Sequence, residues 1–256
     1  MKFSIEYAAT CHKGYVRSMN QDNLWCAGTF LECDNEGLPI MLTGFVNSRE
    51  YPAFAVFDGM GGEQQGEVAS FIASEHFDEL NNIKSKRNAK LFLSNACYEI
   101  NKKICDHMVK NNIRQMGTTC ATLLFKRSKL FFCNIGDSRI YRCCDSGIVQ
   151  LSLDHIDKSV SSTNPPLTQN LGIPETEFEI EPYINSIKTK CGDRYLLCSD
   201  GLTDMLSDKE IYSLICTCDN VSDATSELIK KALERGGVDN ITIIVCEVVR
   251  TNSFSL

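Results

Sequence analysis

Apolar positions in this chain switch from a two-residue period to a helical one and back again, and that switching predicts the elements. Phe3, Ile5, Tyr7 and Ala9 alternate with Ser4, Glu6 and Ala8, as in a strand with one buried face. Further strands are predicted at 22–28, 40–44 and 53–58. After Gly61-Gly62 the period lengthens: Ala69, Ile72, His76/Phe77 and Leu80 mark one helical face, and Leu93, Ala96, Cys97, Ile100, Ile104 and Met108 mark another. Two long helices therefore follow one another. Strands resume over 119–126, 129–135 and 139–144. The turns joining them are hairpin-short and imply antiparallel pairing, since a parallel connection needs about a dozen residues or more. Ser207 to Glu210 reads as a capping box opening a helix, a further helix is expected near 222–235, and ITIIVCEVV (241–249) closes with a strand. This order predicts two packed antiparallel sheets with helices outside, so that residues at strand ends converge on one rim.

The 256 residues, 43% of them hydrophobic, suffice for one domain with a large core. That domain is expected over 1–250, with a short tail at 251–256. No fixed-period repeat or linker interrupts it, and the main loop is 161–166 (SSTNPP), with its paired prolines. A net charge of −7 and a pI near 5.2 argue against a nucleic-acid partner, which needs clustered Lys and Arg. KSKR at 84–87 reads as a solvated loop. No apolar stretch approaches the roughly 18 residues of a membrane span, and the N-terminus alternates instead of forming a signal-peptide core. A soluble, cytoplasmic protein without a membrane partner is expected. The fourteen cysteines include no Cys-x-x-Cys pair, so an ordinary zinc knuckle or thioredoxin-like motif is absent. They are expected to be reduced, small apolar fillers, with Cys120, Cys133, Cys198 and Cys246 inside predicted strands. Cys143-Cys144 and Cys216/Cys218 are spaced for redox chemistry, which a reducing compartment disfavours.

The chemistry gathers at four aspartates placed where apolar runs meet turns: Asp58 in FAVFDGMGG (54–62), Asp137 in FFCNIGDSR (131–139), Asp200 in YLLCSDGLTD (195–204) and Asp239 in GGVDNITIIV (236–245). A fold that gathers the strand ends gathers the carboxylates too. Like charges held close in a partly buried site raise one another's pKa or need a compensating cation, for which a hard divalent metal is the usual solution. Asp-Gly is also a turn signal, and either pair alone reads as a turn. Four such sites in one domain favour a metal cluster.

Taken in order, VRSMNQD (16–22), FAVFDGMGG (54–62), MGTTCATLL (116–124), NIGDSRIYR (134–142), LTQNLG (167–172), DRYLLCSDGLTDMLSDKEI (193–211) and GGVDNITIIV (236–245) resemble the metal-dependent Ser/Thr protein phosphatases, the protein phosphatase 2C family, in its bacterial form. The resemblance implies an α+β fold, a four-layer α-β-β-α sandwich of two antiparallel sheets flanked by helices, with a two-metal site at one edge. It puts Asp58 between the two metals with the Gly59 carbonyl as a neighbouring ligand, Asp200 and Asp239 on the first metal, and Asp22 beside the second. Asp137 and Asp204, with Asp200, match a weaker third site. Arg17 matches the phosphate-binding arginine, whose forked guanidinium lysine does not copy. Mn²⁺ or Mg²⁺ is the implied cofactor, since oxygen-only ligands suit these ions better than zinc. The implied reaction is hydrolysis of phosphoserine and phosphothreonine by a water activated between two metals. The implied partners are phosphorylated proteins, among them a Ser/Thr kinase and its targets, and the implied state is a monomer.

Three positions depart from the family pattern. Met60 stands where many eukaryotic relatives have a histidine proposed to protonate the leaving group; His155 is a candidate substitute, with a structural role as the alternative. Gln21 replaces a metal-binding glutamate, which leaves Asp22 to carry more of that side. Only 156–167 separates His155 from Thr168, too short for the longer helical flap of bacterial relatives, so a shortened flap is expected. Three readings stand together: a phosphatase opposing a bacterial kinase, a silent binding module, and a phosphatase for one dedicated regulatory protein. A silent module usually lacks a metal aspartate or the arginine, and all are retained here.

Overall fold

Strand β4 (Ala53–Met60) is apolar at nearly every position because both of its faces are covered. Phe54 and Val56 point into a core between two sheets, while Ala53, Ala55 and Phe57 point the other way, toward helices. The same split runs through β12 (Ile241–Arg250): Ile244, Cys246 and Val248 face the inter-sheet core, and Ile241, Ile243 and Val245 face helices on the far side. The computed structural model describes residues 3–60, 65–83, 86–160 and 165–250. Gly61-Gly62, half of the KSKR segment, residues 161–164 of the expected loop and flap, and the tail at 251–256 lie outside them.

One six-stranded sheet runs in the order β3 (Leu42–Asn47), β1 (Phe3–His12), β12, β11 (Arg194–Cys198), β8 (Arg139–Cys144), β9 (Gly147–Gln150). The other runs β10 (Tyr183–Lys188), β7 (Lys129–Ile135), β6 (Cys120–Lys126), β4, β2 (Asp22–Cys26), with the two-residue β5 (Gly117–Thr118) against β4. Every pairing is antiparallel. Helices α1 (Gly66–Ile83) and α2 (Ala89–Asn111) cover the second sheet, and α4 (Asp208–Thr217) and α5 (Val221–Glu234) cover the first, after the single turn α3 (Asp200–Thr203). The result is the expected four-layer α-β-β-α sandwich. The capping box is formed, with the Ser207 N–H donating to Glu210 at 3.0 Å.

Three details correct the sequence reading. β6 and β7 form the expected hairpin, but β7 and β8 do not pair: the chain crosses there from one sheet to the other through Gly136, whose φ of +95° suits glycine. The edge strands β9 and β10 were not anticipated, because a half-exposed edge such as YINSIK carries little apolar alternation. Lys86 is partly buried, donating to the Tyr51 carbonyl at 3.3 Å, and burial lowers its pKa. All fourteen cysteines are free; Cys120 and Cys133 join the helix-side core of the second sheet, Cys198 that of the first, and Cys246 the inter-sheet core.

Phe77 is the hub of the layer beneath α1 and α2, meeting Trp25, Phe57 and Phe92 edge-on with ring centroids 5.5, 6.1 and 6.3 Å away. Phe77→Ala is therefore expected to cost about 3–5 kcal/mol of unfolding free energy, measured by urea denaturation. A loss below about 1 kcal/mol would show that this layer closes over the cavity.

Candidate metal centre

Asp58 lies toward the end of β4, and in the antiparallel register Asp22, the first residue of β2, stands directly opposite it. On the other flank the backbone of Asp58 is fixed by two threonines. Its N–H donates to the Thr119 hydroxyl at 3.0 Å, and its carbonyl accepts from the Thr118 hydroxyl at 2.9 Å and the Thr119 N–H at 2.8 Å. Gly59 has no room for a side chain: a Cβ would lie 2.1 Å from the Gly66 carbonyl oxygen and 2.4 Å from that of Gln21. The start of α1 and the loop before β2 close on the strand end only because this residue is glycine.

Asp200 and Asp239 come from the other sheet. The chain leaves β11 through Ser199 and turns at once into α3, whose first residue is Asp200. Asp239 lies in the loop between α5 and β12. Its neighbour Asn240 is a buried pin: the side-chain oxygen accepts from the Gln21 N–H at 2.8 Å, and the amide donates to the carbonyls of Lys13 at 2.7 Å and Met19 at 2.9 Å. The loop carrying Arg17 is thereby tied to the loop carrying Asp239. Asp137 follows Gly136 in the crossing between sheets. His155 holds that turn from both sides, its Nδ1 accepting from the Gly136 N–H at 3.1 Å and its own N–H donating to the Gly136 carbonyl at 3.0 Å.

These elements enclose a cleft of about 410 Å³ whose walls include Arg17, Asp58, Gly59, Asp137, Asp200 and Asp239. Met60 and Gln21 line it too. Asp22 does not reach the wall. It is 1% exposed and sits behind Asp58, accepting from the Ser199 and Thr242 hydroxyls at 2.7 Å each. Asp204 is exposed one turn beyond Asp200, its N–H bonded to the Asp200 carbonyl at 2.8 Å. His155 is not among the cleft-lining residues, which favours its structural role.

Crowding shows in the carboxyl groups. Burial first, then the charges of Asp200, Asp22, Asp137 and Asp239, push the Asp58 carboxyl well above the ordinary range. Asp200 is pushed up to about 8 by burial and then by Asp137, Asp239, Asp204 and Asp22. Burial raises Asp22 to about 6, although the Thr242 and Ser199 hydroxyls pull it back. Asp137 is raised chiefly by burial. Arg17 is the cation already at hand: its Nη2 donates to Asp239 Oδ2 at 2.6 Å, and the bond raises the guanidinium pKa.

Among the described residues no three acidic, thiol or imidazole side chains meet at one point as a finished metal cage. Zinc, which prefers a closed set of nitrogen and sulfur ligands, is poorly served by such a wall. Mg²⁺ and Mn²⁺ bind through a few carboxylate oxygens and keep several waters, and a wall of spaced, mutually repelling carboxylates around an open cleft fits them. Residues around the wall that the motifs contain but the sequence reading passed over are Ser199, Thr242, Thr119 and Asn240. Glu67 is another: it accepts from the Gln21 amide at 3.1 Å, so a carboxylate stands one hydrogen bond behind the position where eukaryotic relatives carry glutamate.

The sequence model for protein phosphatase 2C matches residues 42–235. The chain is 29% identical over 256 residues to the serine/threonine protein phosphatase PstP of Mycobacterium tuberculosis, covering 96% of this chain but 45% of that protein, so it spans less than half of this relative's length. It is 30% identical over 222 residues to the serine/threonine phosphatase stp of Listeria innocua, covering 79% of this chain and 87% of that one. The fold matches the crystal structure of the PstP catalytic domain in complex with two manganese ions, with a TM-score of 0.79 and 29% identity over 97% of this chain and all of that one.

Because Asp200 keeps its proton from its ordinary value of 3.8 up to about 8, the chelator-treated protein binds protons that the unfolded chain has lost. Stability conferred by such a raised acid is complete below about pH 4 and lost as pH rises through about 8. Thermal unfolding midpoints in EDTA should therefore carry a destabilising contribution over that window, and Mn²⁺ or Mg²⁺ should offset it most at the alkaline end, where the carboxylates are free to bind. Equal midpoints with EDTA and with Mn²⁺ at pH 8 would count against a cation at these residues.

Proposed function

The chain belongs to the protein phosphatase 2C family, and on that premise we propose that it hydrolyses phosphoserine and phosphothreonine in proteins with two divalent cations, Mn²⁺ or Mg²⁺, held at the cleft. The observation that carries this reading is the convergence of Asp58, Asp137, Asp200 and Asp239 with Arg17 on one cavity wall. In this reading Asp58 would hold both cations with the Gly59 carbonyl as a neighbouring ligand, Asp200 and Asp239 would hold the first, and Asp22 would support the second side from behind Asp58. Asp137, Asp200 and Asp204 form a weaker third site. When bound, such a pair of cations neutralises the phosphoryl oxygens and lowers the pKa of the attacking water toward neutrality.

The side chains of the protein do the rest. Among the described residues Arg17 makes one side-chain bond, to Asp239, and its side chain is 53% exposed, which leaves further donors for a phosphoryl group. A forked guanidinium aligns two phosphoryl oxygens at once. Ser199 and Thr242 hold the Asp22 carboxylate in place, and Thr118 and Thr119 hold the Asp58 backbone, so the acidic wall does not have to reorganise during the reaction. Met60, on the cleft wall, carries no proton to donate. His155 acts as a positioning residue for the Gly136-Asp137 turn. We further propose residues 1–250 as the phosphatase domain, working as a monomer in the cytoplasm against a Ser/Thr kinase and its targets. Among the described residues no helix is long and apolar enough to cross a membrane, which is consistent with that setting.

Phosphopeptide hydrolysis measured with Mn²⁺ and with EDTA tests the reading, and activity is expected only with the metal. Asp58→Asn and Asp239→Asn should each lower kcat by about 10²–10³, as removal of one preorganised charge does. Near wild-type turnover in either at saturating Mn²⁺ would contradict the assignment. Arg17→Ala should act mainly on KM, by about 10- to 100-fold, with Arg17→Lys recovering part of the loss. An unchanged KM in both variants would move phosphate binding elsewhere. His155→Ala should slow aryl phosphate and phosphoserine peptide equally; a loss confined to the phosphopeptide would restore it as proton donor.

A further inference from the structure

Beside the metal cleft lies a second cavity, of about 710 Å³, which shares Met60, Pro166 and Leu167 with it, so the two are neighbours across one wall. Its lining is of two kinds. Met60, Leu167 and Ile173, each half-buried, supply apolar surface, and Arg114 supplies a charge. Arg114 is exposed and makes no hydrogen bond or ion pair with any described residue. Five other arginines are already matched by carboxylates: Arg17 with Asp239, Arg139 with Asp154, Arg142 with Asp193, Arg194 with Glu247 and Arg235 with Glu210. Glu177 lines the same cavity without pairing with Arg114, and its charge reaches Cys105 on α2. In a chain with a net charge of −7, an unmatched guanidinium on the wall next to the reaction cleft is complementary to an acidic ligand.

On the phosphatase reading, on which this inference rests, we propose that this cavity receives the substrate segment flanking the phosphorylated residue, with an apolar side chain on Met60, Leu167 and Ile173 and an acidic side chain at Arg114. A chain leaving the metal cleft passes over Met60 and its neighbours in the shared wall. An extended peptide advances about 3.3 Å per residue, so the residues flanking the phosphoresidue are the ones it delivers to the adjoining cavity. Met60 suits a varied apolar side chain, because an unbranched thioether adapts its shape. Arg114 then sorts substrates by charge: a carboxylate is held by the guanidinium fork, and a lysine in the same place is repelled. The enzyme is thus selective for phosphoproteins with an acidic residue near the site, a preference that resides outside the metal cleft.

The test compares kcat/KM in Mn²⁺ for phosphoserine peptides with Glu, Ala or Lys scanned over the flanking positions, with p-nitrophenyl phosphate as a substrate too small to reach the second cavity. Wild type, Arg114→Ala and Arg114→Glu are assayed; the side chain is exposed and bonded to no described residue, so neither change disturbs the fold. Wild type is expected to favour one Glu peptide over its Lys counterpart by about two- to fivefold, the size of a solvent-exposed ion pair. Arg114→Ala should remove that preference and Arg114→Glu should invert it, with the aryl phosphate unchanged in all three proteins. A wild type indifferent to flanking charge, a preference that survives both substitutions, or an equal loss on the aryl phosphate would overturn the proposal while leaving the phosphatase reading intact. No hydrolysis of any substrate with Mn²⁺ would overturn that reading, and this inference with it.

Discussion

Mutual repulsion among buried carboxylates is the constraint on which the rest of this structure depends. Asp58, Asp137, Asp200 and Asp239 share one wall with Asp22 behind it, and burial first, then the charges of the neighbours, holds each of Asp58 and Asp200 out of its ordinary ionisation range. Left to itself, such a group would spread apart or take up protons. The sandwich prevents spreading, since its strands are pinned by cores on both sides of each sheet. The ends of those strands are cross-tied as well: Asn240 binds the Arg17 loop to the Asp239 loop, and Gly59 admits the start of α1. Stability is spent at the cleft and recovered in the cores, as expected where function needs charges that folding would separate.

Much of this was legible in the chain because the relevant signals are local. The both-faces-buried strands β4 and β12 read as unbroken apolar runs, and the acidic residues follow or end such runs. The turn chemistry of Asp-Gly marked Asp58 and Asp200 without deciding between a turn and a ligand; the shared cleft shows that each is at once a chain reversal or strand end and a member of the acidic wall. What escaped the sequence is non-local. That β7 and β8 lie in different sheets follows from the crossing at Gly136, and a three-residue connection looks the same whether it closes a hairpin or changes sheets. The hydroxyls on Asp22 come from Ser199 and Thr242, more than 170 positions away along the chain, so no spacing rule points to them. The one-turn helix α3 is too short to show a period.

On the proposed reading, Arg17 serves two states of the same site. Paired with Asp239, it supplies positive charge to the acidic wall; exposed over half its side chain, it remains able to meet a phosphoryl group. Substrate selection is carried by a different surface, beside the cleft instead of within it. This division leaves the acidic wall free to answer to metal chemistry alone, while the neighbouring cavity can vary with the protein to be dephosphorylated.

Calorimetric titration of the chelated protein with Mn²⁺, wild type against Asp58→Asn, tests the central claim most directly. If the acidic wall is a two-cation site centred on Asp58, wild type binds about two ions per chain with release of protons, and Asp58→Asn loses most of that binding. Absence of Mn²⁺ binding in wild type, or the same stoichiometry and affinity in the variant, would contradict the account.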